Sequence, residues 1–167
     1  QASLDILSPV TSAGVIELSV NATSPLLDQA DSLGLSFGTA PSDAIQGRLL
    51  AREIKQADKT KAGVIYLDDA YGSALKREFE LNFEGGEAKP RVIAEYSFGL
   101  QDQVDRAKIA ELVNAGPDAI VIIGFDEQSA DVAGMLSDLG YDFGSVWLVD
   151  GNPQIADSLG DRSTILA

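Results

Sequence analysis

Four short runs of apolar, mostly β-branched residues recur in this chain: GVIYL (63–67), VIAEY (92–96), AIVIIG (119–124) and VWLV (146–149). Their starts lie about 28 residues apart, room for one strand, one helix and two loops, which is the size of a βαβ unit. GVIYL and AIVIIG are apolar on both faces, as strands of a parallel sheet covered by helices must be. The segments between the runs read as helices. Val132, Met135, Leu136 and Leu139 follow the i, i+3, i+4, i+7 spacing of one buried stripe, with Gly140 as its stop. Leu75, Phe79 and Phe83 form a second stripe closed by Gly85-Gly86, and Val104, Ile109, Leu112 and Val113 a third, stopped by Gly116-Pro117. Asn152-Pro153 reads as an N-cap followed by proline at the first helical position. With STILA (163–167) as a fifth strand, the order predicts an α/β fold with a doubly wound parallel sheet.

The first 60 residues are less regular. GVIELSV (14–20) and GLSF (34–37) read as strands, and 43–57 as a helix with its apolar face on Ile45, Leu49 and Ile54. A polar break, QADKTKAG (56–63), follows. Two strands and two helices do not easily cover their own apolar faces, so this segment is expected to be part of a second unit.

Composition narrows the function classes. Twelve basic against 26 acidic residues give a formal charge of −14, a field that repels nucleic acid and anionic membrane surfaces. The chain has no cysteine, hence no disulfide and no thiolate metal site. It has no histidine either, which removes His-based triads, His general acid–base catalysis and most zinc sites. No apolar run has the length of a bilayer span, and no basic-plus-apolar leader opens the chain.

Ligands of open α/β sheets bind beyond the carboxyl ends of the strands. Those ends read Asp68-Asp69-Ala70-Tyr71-Gly72, Ser97-Phe98-Gly99, Gly124-Phe125-Asp126-Glu127 and Asp150-Gly151-Asn152. The aromatic residues offer apolar walls, and the carboxylates suit a ligand ammonium. Against that stands a plainer account: Asp68, Asp126 and Asp150 each precede a helix, where aspartate caps free N–H groups and meets the positive end of the dipole. Tyr71 and Phe125 equally suit packing at the sheet edge. Neither G-x-G-x-x-G nor a P-loop follows any strand, so dinucleotide and nucleotide-phosphate binding are not expected. No nucleophile–base pair is apparent, and no enzymatic role, cofactor or metal is expected. The pair Asp68-Asp69 leaves open a Mg²⁺ site of the phosphotransfer or hydrolytic kind.

The segments GVIELSVNATSPLL (14–27), TAPSDAIQGRLLA (39–51), VIYLDDAYGSALKREFE (64–80) and PDAIVIIGFDEQSADVAGMLSDLG (117–140) occur in the order typical of type I periplasmic binding proteins. The chain most resembles the extracellular substrate-binding proteins of branched-chain amino-acid ABC transporters. The resemblance implies two Rossmann-like lobes closing on a small ligand, with residues 1–60 a partial first lobe (helix, two strands, helix) and 61–167 a nearly complete second lobe. It further implies that this is an interior fragment. The start of the first lobe, with a Ser/Thr-bearing loop, and everything after the fifth strand of the second would lie outside it.

Carried over residue by residue, the resemblance implies that Ala22 and Thr23 offer a backbone group and a hydroxyl to a ligand carboxylate, and that Asp43 stands near the interlobe opening. Tyr71 and Phe125 would form the aromatic contacts, with Asp150 facing a ligand ammonium. Gly38 stands where the family often has arginine, and Asp150 where glutamate is common among amino-acid binders. The function implied is capture of a small amino acid or related polar metabolite for an ABC permease, in the periplasm or outside the cell, with the signal peptide outside this chain and a lipid anchor conceivable. The alternative is a ligand-sensing receptor domain or amide-sensing regulator on the same fold. Val15, Ile16, Leu18, Leu35 and Phe37, left on an incomplete lobe, imply a homodimer.

Overall fold

The computed structural model describes residues 2–85, 90–152, 155 and 164–166. In chain order the elements are α1 (Ala2–Ser12), β1 (Glu17–Ser19), α2 (Pro25–Gln29), β2 (Ser36–Gly38), α3 (Asp43–Gln56), β3 (Lys61–Leu67), α4 (Ala70–Phe83), β4 (Arg91–Phe98), α5 (Arg106–Asn114), β5 (Ala119–Ile123), α6 (Asp126–Asp138), β6 (Val146–Val149) and β7 (Thr164–Leu166). Strands β3–β7 form one sheet in the order β4-β3-β5-β6-β7, every pairing parallel. β1 and β2 pair in parallel as a separate two-stranded sheet. All four predicted runs are strands of the large sheet, and the STILA segment supplies the fifth at Thr164–Leu166. The helix expected to begin at Asn152-Pro153 lies, apart from Ile155, outside the described residues.

Alternation of side chains sorts the large sheet into two cores. Ala62, Val64, Ala119, Val121, Ile123, Trp147 and Val149 face Leu50, Ala51 and Ile54 of α3 and Leu75, Phe79 and Phe83 of α4. Their sequence neighbours Ile65, Leu67, Ile120, Ile122, Val146 and Leu148 face Ile109 and Leu112 of α5 and Val132 and Leu136 of α6. The central strand β5 is therefore buried at all five positions. That is why its sequence shows no polar alternation. Each fully buried Leu, Ile or Phe contributes about 1.5–3 kcal/mol over leaving it in water.

α3 belongs to this core although it precedes residue 61, so the apolar interior does not divide at 60/61. The contact with α4 is close because Gly47 has no side chain. A Cβ there would sit 2.7 Å from the backbone of Glu78 and Phe79. This corrects the phase of the helix: Ile45 is 43% exposed and Leu49 half-buried, while Gly47, Leu50, Ala51 and Ile54 face inward. A stripe drawn through the largest apolar residues misses a face whose tightest contact is a glycine.

Residues 2–38 are built differently. α2 is a short helix that the strand-and-helix reading did not anticipate, capped by Ser24 with proline at its start. Val15, Ile16, Leu18 and Phe37 are 52–64% exposed, as expected for a two-stranded ribbon with little to cover it. Leu35 is half-buried. No described helix is long and apolar enough to cross a membrane.

Candidate functional site

Chain direction reverses between β3 and β5: from β3 the chain moves outward to β4, then returns across to β5. The connections leaving the carboxyl ends of these two strands therefore run to opposite faces of the sheet, and the crevice between them is where open α/β sheets place ligands. Opposite it lies the loop between β1 and α2. The resulting cleft has a volume of about 640 Å³, and Ala22, Thr23, Asp43, Tyr71, Phe125 and Asp150 all line it.

The sheet side is fastened by direct contacts. Asp69, not Asp68, is the N-cap of α4, its carboxylate accepting from the Gly72 N–H at 2.8 Å. The Asp68 N–H donates to the Phe98 carbonyl at 2.8 Å. The cap is set by which residue has left strand geometry: β3 ends at Leu67, as the run GVIYL suggested, and Asp68 is still bonded to the end of β4. Tyr71, in the first turn of α4, stacks on Phe125 with ring centroids 5.6 Å apart and planes 16° from parallel. Its hydroxyl donates to Asp150 Oδ1 at 2.8 Å. Burial, then the neighbouring Asp150, pushes the phenol well above its ordinary value, so it remains a donor.

The capping account of Asp126 is also corrected. Asp126 is the first residue of α6, behind a Phe125 cap with no side-chain bond, and its Oδ1 accepts from the Ile155 N–H at 3.2 Å. The carboxylate of Asp150 is engaged by Tyr71.

Asn152 has a structural role that the sequence did not signal. It is fully buried, and its Nδ2 donates to the Gly124 carbonyl at 3.1 Å and to Ser129 Oγ at 2.8 Å. Its Oδ1 accepts from the Val149 N–H at 3.3 Å. One side chain thereby ties the loop carrying Asp150 to the loop carrying Phe125. Gly151 completes the junction, since a Cβ there would collide with the Gly124 carbonyl oxygen. The sequence signal was the position of Asn152 three residues after a strand end, which serves an N-cap equally well.

On the other side, Thr23 and Asp43 are joined through the backbone, the Asp43 N–H donating to the Thr23 carbonyl at 2.8 Å. The Ala22 N–H is engaged by Ser19 Oγ at 3.1 Å. Asp43 is 2% exposed, and its Oδ2 has no hydrogen-bond partner. Burial raises its carboxyl to about 6, with Asp150, Glu78 and Asp28 adding like-charge repulsion and a hydrogen bond from the Thr23 side chain opposing them. Arg77 and Glu78 also line the cleft, and neither was singled out from the sequence. Tyr71, Ala74, Arg77 and Glu78 form one helical stripe of α4, the signal available for them. No group of three or more acidic residues is gathered as a metal cluster among the described residues.

No protein-family model and no curated protein sequence matches the chain. Solved structures do. A leucine-binding protein LivK from Thermotoga maritima superposes with a TM-score of 0.76 at 23% identity, covering 96% of this chain and 45% of that one. A solute-binding protein of an ABC transporter from R. palustris, in complex with benzoate, gives 0.78 at 17% identity, over 96% and 44%. The branched-chain amino-acid transporter substrate-binding protein LivJ from Streptococcus pneumoniae, in complex with isoleucine, gives 0.70 at 19%, over 90% and 41%. The chain thus has the α/β fold of type I periplasmic binding proteins, and it spans less than half the length of these structures.

Proposed function

We propose that this chain is the ligand-gripping part of an extracytoplasmic solute-binding protein that serves an ABC transporter. It captures a small amino acid or related polar metabolite without transforming it. The observation that carries this is the convergence of Ala22, Thr23 and Asp43 from one side, and Tyr71, Phe125 and Asp150 from the other, on one cleft at the point where the sheet reverses direction. The stacked aromatic pair offers an apolar wall, and the polar groups around it can fix orientation. In this reading the segment 2–38 and the large sheet with its helices, α3 included, belong to two lobes that close about a hinge. The protein works in the periplasm or outside the cell, handing its solute to a membrane permease. Leucine, isoleucine and benzoate complexes among the structural neighbours support a solute-binding role.

The test is a thermal-shift screen against the L-amino acids, their amides and urea. A ligand at 100 times its Kd adds about 2.7 kcal/mol of stability and raises Tm measurably. A shift with leucine, isoleucine or valine supports the amino-acid reading, and shifts only with amides or urea move the ligand class. Silence across the whole screen counts against capture of these solutes. For the chain on its own we also propose a homodimer through the exposed face carrying Val15, Ile16, Leu18 and Phe37. Light scattering that finds a monomer throughout the micromolar range overturns it.

A further inference from the structure

Two cations stand side by side on α4, and the fold treats them differently. Lys76 is engaged: its ammonium meets Glu80 at 3.0 Å and Glu95 at 2.7 Å, and lies 5.4 Å from the centre of the Tyr66 ring. Arg77 is exposed and takes part in no ion pair or side-chain hydrogen bond among the described residues. The helix itself supplies no partner. Side chains three and four positions apart are neighbours on a helix surface, and for Arg77 these are Ser73, Ala74, Glu80 and Leu81. The one carboxylate among them is held by Lys76. Glu78, next in sequence, does not face Arg77 and acts on Asp43 instead.

Arg77 is also the only cation among the described residues lining the cleft, where Asp43, Glu78 and Asp150 are the other charged groups. From Tyr71 the stripe of α4 runs through Ala74 to Arg77, about 9 Å along the axis at 1.5 Å per residue. Ala74, between them, contributes only a methyl group. We propose that Arg77 is a specificity-determining residue of the cleft, and that the solute carries an oxyanion, in the simplest case a carboxylate, at the end remote from the Tyr71–Phe125 wall. This rests on the solute-binding reading of the same cleft. A guanidinium holds a carboxylate through two parallel N–H···O bonds, a geometry that an ammonium does not match. Every other charged group among the described lining residues is acidic, so a distal oxyanion is accepted at this one place and repelled elsewhere. An amino acid with an acidic side chain meets these terms. One with a wholly apolar side chain leaves the guanidinium in water.

Titration calorimetry at about pH 7.5 tests this, with L-glutamate and L-2-aminoadipate set against L-glutamine and L-leucine. Glutamine has the shape of glutamate without its charge. At least one of the two acids is expected to bind about tenfold or more tighter than both neutral probes, as a charge-assisted bidentate pair requires. Arg77→Gln should remove that advantage while leaving Tm and the affinities for glutamine and leucine unchanged. Arg77→Lys should recover part of it, because the charge returns without the paired bonds. Arg52→Gln, at an exposed arginine of α3 outside the cleft, should change nothing. An equal loss there would mean that the acids respond to net charge alone, and overturns the proposal. Acids that bind no tighter than glutamine overturn it too, as does an Arg77→Gln protein that weakens all four probes alike. Each of these results leaves solute binding standing. If none of the four binds, the proposal falls. The solute-binding reading falls with it only if the amino-acid and amide screen is silent too.

Discussion

The two walls of the cleft are built to opposite standards. On the sheet side the polar groups have partners: Tyr71 bonds Asp150, Asp69 caps α4, and Asn152 bonds Val149, Gly124 and Ser129. On the other side Asp43 is buried with a bare oxygen among like charges. The first arrangement stabilises the fold; the second is tolerated by it. Residues that hold a site open and residues that wait for a ligand differ in this way, and the difference can be measured as the sign of a stability change.

The largest effect should come from Asn152→Ala. It strips the Gly124 carbonyl, the Val149 N–H and Ser129 of a buried partner, at a cost of about 3 kcal/mol, since each unsatisfied buried group costs about 1–3 kcal/mol. Urea unfolding should show a lower midpoint with an unchanged slope. A midpoint unaltered by the substitution would mean that the sheet-side wall does not depend on this residue.

Asp43→Asn should act in the opposite direction. The folded protein holds the Asp43 proton up to about pH 6, whereas the unfolded chain releases it at its ordinary value of 3.8. Stability therefore falls as pH rises from about 4 to about 6 and is level above that, because the native state binds more protons across the interval. Removing the ionisable group lifts this penalty, so the variant should be more stable at pH 7 by up to about 3 kcal/mol. The difference between variant and native protein should shrink towards zero near pH 4. A variant that is destabilised at pH 7 would make Asp43 a structural residue like those of the opposite wall.

The smallest effect is expected from Asp69→Ala, about 1 kcal/mol, the usual cost of a lost N-cap. Chemical denaturation with and without Mg²⁺ checks it. Stabilisation of the native protein by millimolar Mg²⁺, abolished in the variant, would revive a metal role for Asp68-Asp69 in place of the cap.

The regular part of the fold was legible because its signals are local. Runs such as AIVIIG and stripes such as Leu75, Phe79 and Phe83 announce buried strands and amphipathic helices within a few residues, and these became β5 and the inner face of α4. Less legible were features decided by approach. The inward face of α3 turns on Gly47, whose importance is the absence of a side chain against α4. The role of Asn152 depends on Gly124 and Ser129, 28 and 23 residues away in sequence. For the site, the strand ends drew attention to Tyr71, Phe125 and Asp150, and the resemblance supplied Ala22, Thr23 and Asp43.

The sequence by itself determined the strand and helix types, their doubly wound order and the edge of the sheet at which polar and aromatic residues collect. Periodicity and chain connectivity are carried by neighbouring residues. Only the tertiary structure decided that Asp150 meets Tyr71, that Asp69 rather than Asp68 caps α4, and that Asp43 is buried without a partner for Oδ2. Whether a carboxylate is capped, paired or stranded is set by what distant segments bring within about 3 Å of it, and hydrogen bonding at that range has no local signature in the chain.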